Sequence, residues 1–353
     1  MHQDRNETLK SNYLVRGAAV IGLVAVALFR AAKHKRYSFR EKSVVITGGS
    51  RGLGLELARL FAKEGAHLTL IARTAATLDK ARVELEKSGA RVIAIPCDVR
   101  DQKQVDHAVA ETIRHFGVID VLINNAGVIQ VGPYDQMELR DYEDAMATHA
   151  WGPLYTIMAV LPYMRRRGSG RIVNISSIGG KIGVPHLVPY TMSKFALSGL
   201  SQGLRSELAR DGILVTAVYP GLMRTGSHIN ASFKGRNRSE FAWFSLSAGI
   251  PLLSIDARRA ARQILRACRN GSAELTITPQ ARVASIANAA FPTLMTQALR
   301  AANSLLPEAG AECSFQEHKG WESTSRWSPS LLTRFADNAS VRNNEVFQRG
   351  QAT

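Results

Sequence analysis

A short apolar run that leads into a glycine-rich turn and then into a helical pattern constrains this chain most. The run covers residues 43–47, and apolar residues at helical spacing follow over residues 55–61. Between them stand four glycines: Gly48, Gly49, Gly52 and Gly54. In such a strand–turn–helix unit the backbone can approach a pyrophosphate, whose charge the helix N-terminus attracts. The pattern predicts a nucleotide-binding unit, and a tight turn without a ligand is the alternative that these glycines alone leave open.

Further apolar runs alternate with helical patterns over the next two hundred or so residues. The predicted strands after the first cover residues 67–72, 91–97, 121–124, 171–175, 213–219 and 273–278. Strands that alternate with helices indicate an α/β fold with a Rossmann-like, doubly wound parallel sheet and helices on both faces. Ligands of such sheets lie beyond the C-terminal ends of the strands. Functional residues are therefore expected at those ends.

Three polar residues stand where such a site is expected. Tyr190 and Lys194 are four positions apart, and Ser177 precedes Tyr190 by thirteen. On a helix, the four-residue spacing puts the phenol and the ammonium on one face. The cation is expected to lower the pKa of the phenol and make it a better proton donor, and Ser177 follows a predicted strand that could bring its hydroxyl alongside. An isolated Tyr–Lys pair is more often a solvated helix face, but the surrounding pattern favours a site that binds and protonates a carbonyl oxygen.

The end of the second predicted strand bears on the choice of cofactor. A dinucleotide fold that prefers NAD usually has an acidic residue there, which binds the ribose 2′-hydroxyl. Here Ala72 and Arg73 occupy that end, and Arg51 lies in the glycine turn. Two guanidinium groups without a carboxylate suit a 2′-phosphate, so NADP(H) is favoured over NAD(H). A solvated Arg73 at a strand end is the alternative.

These motifs resemble those of the short-chain dehydrogenase/reductase family, in the family's order and spacing, over about residues 40–280. The residues that carry the resemblance are Thr47, Gly48, Gly52 and Gly54 of the glycine turn, Asn124, Asn125, Ala126 and Gly127, Ser177, Tyr190 and Lys194, and Pro220, Gly221 and Thr225. The resemblance implies an NADP(H)-dependent oxidoreductase that transfers hydride between nicotinamide and a carbonyl or alcohol. Tyr190 would donate the proton, Ser177 would stabilise the oxygen, and Lys194 would bind the nicotinamide ribose.

The resemblance also implies a set of cofactor-binding residues, an oligomeric state and a brace. The cofactor set is Gly48, Ser50, Arg51, Gly52, Leu53, Gly54, Arg73, Asp98, Asn125, Ala126, Gly127, Tyr190, Lys194, Pro220, Gly221 and Thr225. Asp98 would contact the adenine end, and Asn124 would brace the central strands. Members commonly form homodimers or homotetramers, so a homo-oligomer is expected.

One position departs from the family pattern. An asparagine usually follows the fourth strand in a helix and holds a water that links the lysine to solvent, whereas His149 aligns there. Histidine also binds water and accepts a proton, so it is a candidate catalytic residue. A buried, hydrogen-bonded helix residue is the alternative. The departure also leaves open a non-catalytic dinucleotide-binding sensor or scaffold.

An apolar run precedes the predicted domain. It covers residues 17–29, extends to about 14–32 with an arginine near each end, and is followed by the basic residues 33–36. Within a segment of residues 1–38, a membrane anchor, spanning or interfacial, is favoured. The basic cluster would keep the catalytic domain, residues 39–280, on the cytoplasmic side. A cleaved signal peptide and an ordinary buried helix are the alternatives.

The rest of the chain suggests how a substrate is covered. Aromatic and apolar residues among basic ones over residues 222–251 predict a substrate lid for a lipophilic carbonyl, or a lid that folds onto a bilayer. Residues 281–306 predict a C-terminal helix, interrupted at Pro292, that packs on the lid, on a partner subunit or on the membrane. Residues 307–353 are polar and are expected to be poorly ordered.

Charge and cysteine content limit other functions. The chain has 45 Lys and Arg against 29 Asp and Glu, which favours anionic partners. No zinc-finger spacing and no aromatic RNA-binding motif is present, so specific nucleic-acid binding is not expected. Three widely spaced cysteines, Cys97, Cys268 and Cys313, predict neither a disulfide framework nor a metal site.

Overall fold

Seven parallel strands form the central sheet of the chain in a computed structural model, which describes residues 37–250, 254–308, 315–324 and 334–346. In chain order the strands are β1 (Ser43–Thr47), β2 (His67–Ala72), β3 (Val92–Pro96), β4 (Val121–Asn124), β5 (Gln130–Val131), β6 (Gly170–Ile175), β7 (Ile213–Pro220), β8 (Leu222–Arg224), β9 (Ser232–Phe233), β10 (Ser254–Asp256), β11 (Glu274–Ile277) and β12 (His318–Lys319). The central sheet runs in the order β11-β7-β6-β4-β1-β2-β3. β1 and β4 are buried along their whole length, as expected for apolar strands covered on both faces.

Helices connect these strands and cover the sheet. They are α1 (Gly52–Lys63), α2 (Ala75–Glu86), α3 (Gln102–Phe116), α4 (Leu139–Met146), α5 (Gly152–Arg167), α6 (Val188–Glu207), α7 (Asn237–Gly249), α8 (Ala257–Asn270), α9 (Pro279–Ala290), α10 (Pro292–Asn303) and α11 (Arg334–Arg342). The Rossmann-like α/β fold predicted from the alternation of strands and helices is confirmed. The described residues from Phe39 onward form one compact unit.

The strand order reverses at β1, which pairs with β2 on one side and with β4 on the other. β1 continues into the glycine turn, and β4 continues into the loop of Asn125, Ala126 and Gly127. The loops that leave the two strands therefore diverge at the C-terminal edge of the sheet. Open α/β sheets bind their ligands in the crevice at this point.

A chain of buried amides holds the central strands together. Asn124 Nδ2 donates to Asn174 Oδ1 at 2.9 Å, and Asn174 Nδ2 donates to Ser201 Oγ at 2.9 Å. Thr156 Oγ1 donates to Asn124 Oδ1 at 2.7 Å. These bonds link β4, β6, α5 and α6, so the amide of Asn124 does brace the centre of the sheet, as expected. The same bonds offset the cost of burying the amides.

The region predicted to be a lid forms a second, smaller apolar cluster. It consists of Phe233, Phe241 and Phe244 packed with Val131, Leu187 and Ala231. Tyr190 and Trp243 pack against its edge. The aromatic side chains of this region therefore stabilise an apolar wall beside Tyr190, with α7 as its main helix.

The C-terminal extension is only partly as predicted. The helical prediction for residues 281–306 is confirmed by α9 and α10, which meet at Pro292. Residues 315–324 and 334–346, within the tail for which much disorder was expected from its polar composition, contain β12 and α11. Small residues of α11, such as Ala336 and Ala339, are buried.

The predicted anchor, residues 14–32, lies outside the described residues. Within the described part of the chain, no helix has both the length and the apolar character needed to cross a bilayer.

Candidate active site

Hydrogen bonds hold the glycine turn and the loop after β4 together. Thr47 Oγ1 accepts hydrogen bonds from the N–H groups of Asn125 and Ala126, at 3.0 and 3.1 Å. Asn125 Nδ2 donates in return to the carbonyls of Thr47 and Gly48, at 3.1 and 3.2 Å. A Cβ atom at Gly54 would lie 2.1 Å from the Gly48 carbonyl oxygen, so only glycine fits there. These contacts explain why the two motifs occur together.

The glycine turn and this loop border a cleft at the C-terminal edge of the sheet. Most of the predicted cofactor-binding residues line this cleft: Gly48, Ser50, Arg51, Gly52, Leu53, Arg73, Asp98, Asn125, Ala126, Gly127, Tyr190, Lys194 and Thr225. Gly54 lies behind the turn in α1, and Pro220 and Gly221 lie at the end of β7, outside the lining. No side chain caps the N-terminus of α1. The N–H groups at the start of α1, the backbone of the glycine turn and the side chains of Arg51 and Arg73 can together donate hydrogen bonds to the phosphates of a dinucleotide.

The adenine end of the cleft contains a charged pair that the sequence argument missed. Arg100 binds Asp98 through Nη2 at 2.7 Å and Asp144 through Nη1 at 3.1 Å. Burial opposes ionisation of Asp98, but hydrogen bonds from Arg100 hold the pKa of Asp98 below its usual value. Arg73 is exposed at the end of β2 and also favours the charged carboxylate. Arg100 follows Asp98 by two positions, so this closeness in the sequence could have indicated the ion pair.

Ser177, Tyr190 and Lys194 converge beside the cleft, as predicted. Ser177 follows β6 by two residues, and its hydroxyl accepts the Gly179 N–H at 3.1 Å while lying close enough to the Tyr190 phenol of α6 to influence the pKa of that group. Lys194 lies one turn further along α6, with Nζ 5.5 Å from the centroid of the Tyr190 ring. Lys194 Nζ also donates to the Ile175 carbonyl at 2.9 Å, which fixes the ammonium at the end of β6. The hydroxyl, the phenol and the ammonium therefore face one place, as the four-residue spacing indicated.

The protonation states differ from the prediction in one respect. Lys194 was expected to lower the pKa of the phenol, but the pKa of Tyr190 is raised. Burial is the largest cause, and the hydrogen bond with Ser177 only partly opposes it. Burial also lowers the pKa of Lys194 to about 7, which weakens the charge that was expected to act on the phenol. The phenol of this site is accordingly held in its protonated form.

His149 contacts the site through its ring rather than through a free nitrogen. Its Nε2 accepts the Val128 N–H at 3.1 Å, and its Nδ1 lies 2.8 Å from Ser193 Oγ. Since Ser193 donates its own proton to the Tyr190 carbonyl at 2.8 Å, Nδ1 must be the donor to Ser193. Burial, assisted by the charge of Lys194, holds the pKa of His149 well below its usual value. The imidazole is therefore neutral.

The geometry favours the second interpretation of His149, a buried and hydrogen-bonded helix residue. Both ring nitrogens are bonded to protein groups, and the ring packs edge-on against Tyr190 with 5.4 Å between the centroids. His149 lies in a one-turn widening of the helix, over Ala147–Trp151, between α4 and α5. Such widenings are frequent at functional sites. We interpret His149 as a residue that positions Tyr190.

The cleft lining also contains residues that were not predicted, among them Glu345 and Cys97. Glu345 lines the cleft from the C-terminal extension, nearly three hundred residues away from the glycine turn. Cys97 lines it from the end of β3, where burial raises the pKa of the thiol to about 12 and keeps it unreactive. No local pattern identified Glu345, because its partners are distant in sequence. Among the described residues, no cluster of side chains could hold a metal ion.

Comparison with known proteins gives a consistent result. The model of the short chain dehydrogenase family matches residues 42–234. Gluconate 5-dehydrogenase of Gluconobacter oxydans is 35% identical over 189 residues, which are 54% of this chain and 74% of that enzyme. Fatty acyl-CoA reductase of Acinetobacter baylyi is 34% identical over 192 residues, which are 54% of this chain and 65% of that enzyme. The crystal structure of a short-chain dehydrogenase from Streptomyces avermitilis superposes with a TM-score of 0.61 at 31% identity, over 75% of this chain and 96% of that one.

Proposed function

The chain belongs to the short-chain dehydrogenase/reductase family, and from this premise we propose that it reduces a lipophilic ketone or aldehyde with NADPH at a membrane surface. Enzymes of the family act on CH–OH and carbonyl groups of small molecules with NAD(P) nucleotides, and commonly oligomerise. This chain is accordingly an oxidoreductase. The observation that carries the proposal is the convergence of Tyr190 and Lys194 in the lining of the cleft, with the Ser177 hydroxyl next to the phenol.

The three residues divide the work on the substrate oxygen. A bound nicotinamide supplies the hydride. The Ser177 hydroxyl donates a hydrogen bond to the carbonyl oxygen and stabilises the negative charge that develops on it. The Tyr190 phenol, protonated because burial raises its pKa, transfers its proton to that oxygen. The Lys194 ammonium then stabilises the phenolate that remains, and His149 and Ser193 keep the tyrosine in place.

The preference for NADPH is supported by the charges at the adenine end. Arg73 lies exposed at the end of β2, the position where a protein that prefers NAD usually has a carboxylate. Arg51 lines the cleft from the glycine turn. Both guanidinium groups can bind a 2′-phosphate.

Replacing Arg73 with alanine is expected to weaken NADPH binding by roughly ten- to a hundredfold, since hydrogen bonds to charged groups contribute about 1.5–3 kcal/mol. NADH binding should change little. Fluorescence titrations of both nucleotides measure this difference, and Arg262→Ala, an exposed arginine of α8, is the matched control. Equal weakening of the two nucleotides would mean that Arg73 does not bind the 2′-phosphate.

A lipophilic substrate is supported by the wall beside Tyr190. Phe233, Phe241 and Phe244 are the buried core behind it, and the partly buried Ile129, Val184 and Trp243 lie at its edge. Apolar walls with a few polar groups are typical of sites for apolar ligands. The relatives include a gluconate dehydrogenase and a fatty acyl-CoA reductase, so their names do not point to one class of substrate. The apolar residues beside Tyr190 are the stronger support for a lipophilic substrate. The test is the loss of NADPH absorbance with a panel of ketones and aldehydes of increasing chain length. Activity that rises with chain length supports the proposal, and activity restricted to hydrophilic carbonyls would refute it.

The pH dependence of the proposed reduction follows from two of the pKa directions. The pKa of Lys194 is lowered to about 7, so its ammonium is lost as the pH rises through neutrality. The pKa of Tyr190 is raised, so the phenol remains protonated over the same range. We expect kcat/KM for reduction to be constant at mildly acidic pH and to fall above about pH 7. A profile that rises between neutral and alkaline pH would contradict this assignment of Lys194.

Membrane association is supported by the apolar residues 17–29 and the basic cluster after them, which would keep the catalytic domain on the cytoplasmic side. The exposed apolar side chains of α9 and α10, including Ile286 and Leu294, both 68% exposed, are also consistent with contact to lipid. Carbonate extraction and protease protection test this. Recovery of the chain in the supernatant at low salt, before any carbonate treatment, would contradict it.

A homo-oligomer is supported by exposed apolar side chains on and near α5 and α6. Met158, Met192 and Phe195 are each 44% or more exposed, and Trp151, just before α5, is 48% exposed. Exposed apolar surface of this kind is usually covered in an assembly. Leu197 of α6 is not part of this surface, because it is buried in the core. Sedimentation of the purified chain distinguishes a dimer or tetramer from a monomer.

A further inference from the structure

The last described residues of the chain lie across the nucleotide cleft. We call residues 334–346, which comprise α11 and the four residues after it, the C-terminal strap. At the end of α11, Asn344 adopts the left-handed conformation with φ of 56°, which asparagine tolerates better than most residues. The Glu345 N–H then donates to the Ser340 carbonyl at 2.9 Å. This tight turn directs the Glu345 side chain back towards the body of the protein.

The strap is firmly docked outside the cleft. Arg342 Nη2 binds Asp256 Oδ2 at 3.0 Å, and Arg59 Nη2 donates to the Arg342 carbonyl at 3.0 Å. Gly226 has φ of 92°, and a Cβ atom there would lie 2.3 Å from Ser340 Cα. The sequence therefore contains a glycine at the place where α11 approaches most closely. These contacts describe a specific docking site rather than a solvated tail.

The docked strap uses groups that the cofactor phosphates also need. The Gly52 N–H, at the start of α1, donates to the Asn343 carbonyl at 2.9 Å. Asn343 Nδ2 donates to the Thr225 carbonyl at 3.1 Å, so the strap bridges the glycine turn and the loop after β7. A Cβ atom at Gly52 would lie 2.6 Å from Glu345 Oε1. The space that glycine leaves open at this position is thus occupied by a carboxylate.

Glu345 places a buried carboxyl group at a site that suits anions. Its side chain is 4% exposed, Oε2 accepts a hydrogen bond from Asn230 Nδ2 at 2.6 Å, and Oε2 lies 3.5 Å from Arg51 Nε. Burial raises the pKa of Glu345, although Arg51 and Asn230 favour its ionised form. A carboxylate beside an arginine at a helix N-terminus makes the contacts that a phosphate makes at the same kind of site.

We propose that the C-terminal strap is an internal competitor for the cofactor, in which Glu345 occupies part of the phosphate site and must leave it when a dinucleotide binds. This inference rests on the proposed function, since it assumes that the cleft takes NADP(H). The carboxyl group fills the space beside Gly52 that a phosphate would need, and a charged carboxylate there also repels a phosphate. Arg51 and the Gly52 N–H can serve the strap or the cofactor. Docking of the strap and binding of the nucleotide therefore oppose each other.

The competition has a selective component. Arg51 is one of the two arginines assigned to the 2′-phosphate, and Glu345 is its ionic partner in the docked strap. Either cofactor must move the carboxylate away from Gly52, but only one with a 2′-phosphate also takes Arg51 from it, whereas a complex without that phosphate leaves Arg51 available to Glu345 in its displaced position. Glu345 is therefore a specificity-determining residue that lowers the affinity for NADPH more than the affinity for NADH.

The test compares nucleotide affinities of full-length variants. Glu345→Gln removes the charge and keeps the shape of the side chain, and Arg342→Ala loosens the strap at a point outside the cleft. Glu308→Gln makes the same charge change at an exposed position in the C-terminal extension and serves as the control. Fluorescence titration at low ionic strength should show NADPH bound about tenfold more tightly by Glu345→Gln, with a smaller gain for NADH and no change in the control. Arg342→Ala should shift NADPH affinity in the same direction.

A second measurement follows the strap itself. Hydrogen exchange of residues 336–346 in the wild-type chain should become faster when NADPH is added, because the nucleotide displaces them. Unchanged or weaker NADPH binding by Glu345→Gln, or stronger protection of the strap with NADPH, would overturn the inference and make the strap a supporting wall of the loaded site. If neither the wild-type chain nor any variant binds either dinucleotide, the proposed function itself fails and this inference fails with it.

Discussion

Replacing Tyr190 with phenylalanine is expected to lower the turnover of NADPH-dependent carbonyl reduction by about two to four orders of magnitude, the range typical of removing a general acid. The ring, its edge-on contact with His149 and its place beside Gly179 are all retained. NADPH affinity should therefore remain within about twofold of the wild-type value, because no group that contacts phosphate is changed. Steady-state kinetics and nucleotide titration on the same preparation separate the two effects.

The control for this prediction is Tyr163→Phe, which removes the same atom from a tyrosine of α5 that packs under Arg166, away from the cleft. That variant should retain full activity. Wild-type turnover in Tyr190→Phe would show that another group protonates the substrate.

Replacing Lys194 with methionine is the second large change, and it should affect chemistry and binding together. Loss of the ammonium removes the charge that stabilises the phenolate, so we expect turnover to fall by about two orders of magnitude or more. It also removes the donor expected to bind the nicotinamide ribose, so NADPH affinity should fall, in contrast to Tyr190→Phe. Kinetics and titration measured side by side distinguish the two variants.

The stability of this variant needs its own measurement. Methionine leaves the Ile175 carbonyl without the bond that Lys194 Nζ now donates at 2.9 Å, which costs about 1–3 kcal/mol if the carbonyl stays buried. Removing a buried amine whose pKa is lowered to about 7 offsets part of that cost. We therefore expect a modest change in Tm for Lys194→Met. The control is Lys80→Met, which makes the same substitution at an exposed position of α2. Turnover within twofold of the wild-type value in a folded Lys194→Met would contradict the role given to the ammonium.

The parts of the fold that were predicted are those encoded locally. β1, β2 and β4 were identified with their observed bounds because buried parallel strands are nearly continuous apolar runs. The glycine turn was identifiable because Gly54 approaches a carbonyl too closely for any other residue. The four-residue spacing of Tyr190 and Lys194 was sufficient to place both side chains on one face of α6.

The parts that were missed depend on contacts between distant residues. Neither the bond from Lys194 to Ile175 nor the burial that raises the pKa of Tyr190 follows from a spacing. The role of His149 depends on which nitrogen carries the proton, and that is determined by Val128 and Ser193. The strap was taken for a poorly ordered tail because its contacts are made by small and polar side chains, such as Ser340 and Asn343, and by ion pairs. Composition carries no signal for such docking.

A crystal structure of the full chain with NADPH bound tests the central claim most directly. The account predicts the pyrophosphate against the glycine turn, the nicotinamide ribose hydrogen-bonded to Lys194, and the nicotinamide ring next to the Tyr190 phenol and the Ser177 hydroxyl. A nucleotide bound elsewhere, or a nicotinamide ring held away from those two hydroxyls, would contradict it.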